Sequence, residues 1–124
     1  SVQLRMEGVD ALELHYDPTG PGGTSHQPRP LADEARALLT STLRLDPISY
    51  AAPAMLTARS APKDGAEGFI LSRSLEVHGR PVSFLFRGTP READGSEVYL
   101  SPAYLRRSLN YKLVAEGHAY PLFY

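Results

Sequence analysis

Gly68-Phe69-Ile70-Leu71-Ser72-Arg73-Ser74-Leu75-Glu76-Val77 and Pro81-Val82-Ser83-Phe84-Leu85-Phe86-Arg87 flank the tripeptide His78-Gly79-Arg80. Phe69 and Leu71 in the first arm, then Val82, Phe84 and Phe86 in the second, recur at every other position, the period of a strand with one face in a core. The two arms are predicted to form a β-hairpin turning at Gly79-Arg80. Downstream, Gly88 to Glu97 is polar with an Asp94-Gly95 turn signal, and Val98 to Leu100 can add a short strand. Ser101-Pro102 then opens a helix, with Ser as N-cap and Pro at the first helical position, where its missing N–H is harmless. Leu105, Leu109 and Leu113 follow at four-residue steps, and Gly117 stands where a helix C-terminal glycine belongs.

Upstream of the hairpin, Ala32 to Leu45 is rich in helix formers and spaces Ala35, Leu38, Leu39 and Leu43 for one face. Asp33 and Glu34 fall in the first turn expected for this helix, where acids complement its dipole. Between Pro47 and Pro53, the apolar stretch Ile48 to Leu56 fits either a strand or irregular packing. Residues 17–30 carry glycines, prolines and polar groups with almost nothing to bury, and are expected to form an exposed loop. The expected fold class is mainly β with helices, α+β in kind.

The chain has 124 residues, 42% of them hydrophobic and 22% charged, a balance that fits one folded domain spanning 1–124. Its net charge of -1 excludes a strongly basic nucleic-acid binder, so any polyanion must be met by a local cluster such as Arg5, Arg80 and Arg87. The absence of cysteine removes disulfides, thiolate zinc sites and cysteine nucleophiles. No long apolar segment marks a membrane span, and both export and a cytoplasmic address stay open. Ser1 stands where an initiator methionine would, and strand-like sequence begins at once, which predicts a trimmed N-terminus.

The chemistry concentrates near the start. Val2, Leu4 and Met6 alternate with Gln3, Arg5 and Glu7, so Arg5 points away from the core face of a strand running to Val9. Gly8 lets the backbone turn, placing the carboxylates of Asp10 and Glu13 on a loop leaving that strand. Two acids and two arginines, Arg5 and Arg80, suggest phosphodiester cleavage, the arginines being cations able to hold a phosphate. The plainer alternative is a set of exposed surface charges. His15 and His78 lack the spacing of a zinc site and read as solvated histidines. Arg106 and Arg107 read as a solvated helix face.

Three segments together resemble the signature blocks of the staphylococcal nuclease (thermonuclease-like, SNase-like) family: Leu4 to Glu13, Gly79 to Phe86, and Leu109-Asn110-Tyr111-Lys112-Leu113-Val114-Ala115-Glu116-Gly117-His118-Ala119. They occur in the family's order, with a helix between the first two, and cover about a third of the chain. The resemblance implies a five-stranded OB-fold barrel with packed helices, and a calcium-dependent endonuclease that cuts DNA and RNA with little sequence preference. By the same resemblance, Arg5 and Arg80 bind the scissile phosphate, Asp10 and the Ala11 carbonyl are calcium ligands, and Glu13 activates or orients the attacking water. His78 replaces a tyrosine beside the substrate phosphate, and Phe123 and Tyr124 lie near a base-stacking tyrosine.

The departures carry expectations of their own. The family has further strands ahead of the first block, one bearing a second calcium-binding aspartate; this chain begins later, so the domain is expected to be incomplete at its N-terminus and weak in calcium affinity. Ala11-Leu12 replaces a pair that usually contains proline. These differences keep a second reading in play: a non-catalytic OB module that binds nucleic acid or a protein partner.

Overall fold

The computed structural model describes residues 3–11, 29–51, 58–60 and 64–122. Among these described residues, seven strands and three helices follow in the order β1 (Arg5–Met6), β2 (Val9–Ala11), α1 (Arg29–Thr42), β3 (Ser49–Tyr50), β4 (Ala58–Ser60), β5 (Gly68–Leu75), β6 (Pro81–Arg87), α2 (Pro102–Leu105), α3 (Leu109–Ala115) and β7 (Ala119–Pro121). The chain is a small α+β protein with a mixed sheet. Strands β1, β6 and β5 pair in that order, while β2 with β7 and β3 with β4 form separate two-stranded ladders. Among the described residues these ladders do not close into a barrel.

The expected hairpin is present, with β5 and β6 antiparallel and Phe69 opposite Phe86. Its register shifts between Ser72 and Ser74, so Arg73 is the extra residue of a bulge. Phe86 is 1% exposed. Its ring stacks on Phe69 at 4.9 Å and meets Tyr104 edge-on at 5.1 Å, pinning α2 over the hairpin. The parallel pairing of β1 with β6 aligns Arg5 with Val82 and Met6 with Ser83. β6 is thus paired on both sides, and within it Ser83 is as buried as Phe86.

Four expectations are corrected. Val2 to Val9 is not one strand, because the Glu7-Gly8 turn, with Gly8 at φ 68°, separates β1 from β2. Helix α1 starts at Arg29, taking Arg29 and Pro30 out of the expected loop and leaving no acid in its first turn; Asp33 instead pairs with Arg36 at 2.7 Å. The helix stops at Thr42 because Arg44 takes a left-handed φ of 55° and the Leu45 N–H closes on the Thr40 carbonyl. Val98 to Leu100 forms no strand. The C-terminal helix is two helices, because Ser108 interrupts it and caps α3 with a hydroxyl that accepts from the Tyr111 N–H.

The Ser101 cap of α2 and the glycine stop of α3 stand as expected. Ser101 accepts from the Tyr104 N–H. Gly117, at φ 76°, donates to Val114 while His118 donates to Leu113, the paired bonds of a Schellman ending. The ambiguous stretch after Pro47 contributes Ser49–Tyr50 to a ladder with β4. Of the residues 17–30, only Arg29 and Pro30 lie within the described segments. The core gathers Val9, Ala35, Leu113 and Ala119, with Met6, Leu38, Leu39 and Val114 packed against them. Ala35 of α1 and Leu113 of α3 therefore share one core with Val9 and Ala119 of the β2–β7 ladder.

Candidate functional site

The parallel pairing of β1 with β6 sets Arg5 beside the start of β6. Arg5 sits opposite Val82, and Arg80 lies two residues ahead of Val82, at the end of the hairpin where β6 begins. Both side chains are half-buried. Asp10 is not on a loop: it lies in β2, registered opposite Tyr120 of β7, beyond the turn that separates β2 from β1. Ala11 is registered opposite Ala119 in the same ladder. Glu13, Phe123 and Tyr124 lie outside the described residues.

Arg80 is held by a residue that periodicity alone did not single out. Glu76 closes the hairpin: its N–H donates to the Arg80 carbonyl at 3.0 Å and its own carbonyl accepts from Gly79 at 2.8 Å. Gly79 adopts φ 77°, which a side chain would resist. The Glu76 carboxylate then folds over the turn. Its Oε1 accepts from the His78 N–H at 2.9 Å, the Arg80 N–H at 3.0 Å and Arg80 Nε at 3.1 Å, and its Oε2 accepts from Arg80 Nη2 at 3.3 Å. The Arg80 side chain, first, and then the surrounding N–H groups hold the carboxyl at a pKa of about 2, below its ordinary 4.5. His78 itself projects from the exposed turn, and only its backbone joins this network.

The second unforeseen residue is Asn110, which is 2% exposed. Strand β1 bonds to β6 through the Glu7 N–H and the Ser83 carbonyl at 2.9 Å, then turns away at Gly8. The next ladder bond would run from the Leu85 N–H to the Glu7 carbonyl, as in any parallel pair. Asn110 inserts its amide there instead. Its Oδ1 accepts from Leu85 N–H at 2.9 Å, and its Nδ2 donates to Glu7 O at 2.8 Å and to Ser83 O at 3.0 Å. One carboxamide from α3 thus fixes the point where the chain leaves Arg5 and heads for Asp10. An apolar helix face interrupted by an asparagine was the available signal.

Among the described residues no group of three histidine, aspartate or glutamate side chains converges as a metal site. Asp10 and the Ala11 carbonyl are hard oxygen donors of the kind calcium takes, but two donors fall well short of its usual ~6–8. No helix is long and apolar enough to cross a membrane among the described residues. No family model, no curated protein and no solved structure matches this chain.

Proposed function

We propose that this chain is a nuclease domain of the staphylococcal nuclease-like class, hydrolysing phosphodiester bonds of DNA or RNA with little sequence preference on an OB-type barrel. The observation that supports the reading is the register of β1 against β6, which pairs Arg5 with Val82, two residues past Arg80, together with the Asn110-braced turn that carries the chain from Arg5 to Asp10 in β2. In the chemistry proposed, the two guanidinium groups bind the scissile phosphate and stabilise charge as phosphorus becomes five-coordinate. Glu13 orients the attacking water or takes its proton. Asp10, with the Ala11 carbonyl, would hold calcium, which when bound polarises the phosphate. His78, on the same turn as Arg80, would donate to a substrate phosphate in this reading.

The engagement of Arg80 by Glu76 favours a second reading, in which the arginine serves the hairpin and the domain is a non-catalytic module binding nucleic acid or a protein. The two readings part in a simple assay. A nuclease degrades plasmid and single-stranded DNA in calcium and stops in chelator, and Arg80→Ala lowers turnover by about 10²- to 10³-fold, as loss of one transition-state donor does. A binding module retains DNA in a salt-dependent manner and leaves it intact. Undiminished turnover of Arg80→Ala would remove this residue from the mechanism.

A further inference from the structure

Among the described residues β5 is the outer strand of its sheet, on the side away from β1 and Arg5. Ile70 stands opposite Leu85, whose N–H turns toward β1 and donates to Asn110, so the backbone groups of this pair point apart and the Ile70 carbonyl faces the open edge. A cavity of about 80 Å³ lies between Phe69, Ile70 and Leu71 on one side and the loop following β6 on the other. The Asp94-Gly95 turn shapes the loop wall: the Ser96 N–H closes on the Ala93 carbonyl at 3.1 Å, with Gly95 at φ 79°. One water needs only about 10–15 Å³ of such space, so the cavity has room for a molecule of several heavy atoms.

Glu92 and Asp94 both line this cavity, and no basic residue does. Glu92 Oε2 is buried without a hydrogen-bond partner, a state no other side-chain oxygen or nitrogen shares among the described residues. An anionic oxygen so placed is costly, because neither water nor a donor replaces its lost hydration. We infer that the cavity is a binding site for a small organic cation, a primary ammonium on a short alkyl stem, carried by a free amine or by a lysine side chain. The ammonium supplies the donor that Glu92 Oε2 lacks and has further N–H groups to offer the Ile70 carbonyl. Its stem is matched to Phe69, Leu71 and Val98, where methylenes leave water. Calcium suits the site less, since it takes about 6–8 oxygens and much of this wall is apolar. The site stands at the opposite edge of the sheet from Arg5 and is independent of the nuclease reading.

The test is nitrogen-edited NMR of the whole chain, titrated at matched ionic strength with n-butylammonium chloride, with n-butanol as the uncharged equivalent. Expected are saturable shifts of the Ile70, Leu71 and Gly95 amides with a midpoint of about 1–10 mM butylammonium, no such shifts with butanol, and affinity lower by about tenfold or more in Glu92→Gln. N-acetyl-lysine methylamide separates the two sources: tighter binding than butylammonium assigns the site to a lysine side chain, and weaker binding assigns it to a free amine. Equal shifts with butanol, undiminished affinity in Glu92→Gln, or no saturable shift up to about 100 mM would each overturn the inference. So would calcium that moves the same amides and displaces butylammonium at lower concentration. Glu92→Gln keeps the shape of the side chain and breaks no hydrogen bond of Oε2, so it is expected to fold, as far-UV circular dichroism will show.

Discussion

Replacing Asn110 by alanine is the sharpest perturbation available, because one small amide serves three backbone groups from two strands. Its removal leaves the Leu85 N–H and the Glu7 carbonyl without their partner, whereas the Ser83 carbonyl keeps the Glu7 N–H at 2.9 Å. Two orphaned groups at about 1–3 kcal/mol each give a loss of about 2–6 kcal/mol. Against a typical stability of about 5–15 kcal/mol, that is a large fraction. Asn110→Asp can still accept from the Leu85 N–H but sets an oxygen against the Glu7 and Ser83 carbonyls, so it is expected to remain destabilised. The assay is urea unfolding followed by far-UV circular dichroism, since the chain has no tryptophan. A loss below about 1 kcal/mol for Asn110→Ala, or full stability in Asn110→Asp, would refute the idea that this amide splices β1 to β6.

The Glu76 carboxyl, held at a pKa of about 2 in the folded chain against an ordinary 4.5, contributes stability that is complete above pH 4.5 and lost as pH falls toward 2. Glu76→Gln is expected to flatten that part of the acid unfolding curve, and an unchanged curve would contradict the network at the turn. Arg44, a non-glycine residue at φ 55° at the end of α1, is strained, so Arg44→Gly is expected to raise stability by about 0.5–1 kcal/mol in the same urea assay. Phe86→Ala removes a ring that stacks on Phe69 and abuts Tyr104, and about 3–5 kcal/mol should go with it, read as a lower midpoint of thermal unfolding.

How much of this was legible from residue order follows from the range of each interaction. The β5–β6 hairpin is local, so alternation around Gly79 announced it, and the Ser101 cap and Gly117 stop are written in single residues. Helix α1 was legible as a helix but not in its bounds, because Arg29-Pro30 resembles the residues before it in composition. Ser108 was harder still: the leucine spacing of 105, 109 and 113 runs through the break without registering it. The β2–β7 ladder joins residues more than a hundred positions apart, and so Asp10 was expected on a loop. The site shows the same division. Arg5, Asp10 and Arg80 stood out by residue type, but the grip of Glu76 on Arg80 and of Asn110 on the β1 turn depends on folded geometry that no spacing rule encodes.

The central claim is that Arg5 and Arg80 close on one phosphate. Nitrogen-edited NMR of the arginine Nε–H groups, with a phosphorothioate oligonucleotide added in calcium, tests it directly. Both resonances should move together along one binding curve, with Arg80 Nε–H leaving the environment set by Glu76. An Arg80 signal that stays in place while the oligonucleotide binds would contradict it, leaving that guanidinium a strut of the hairpin.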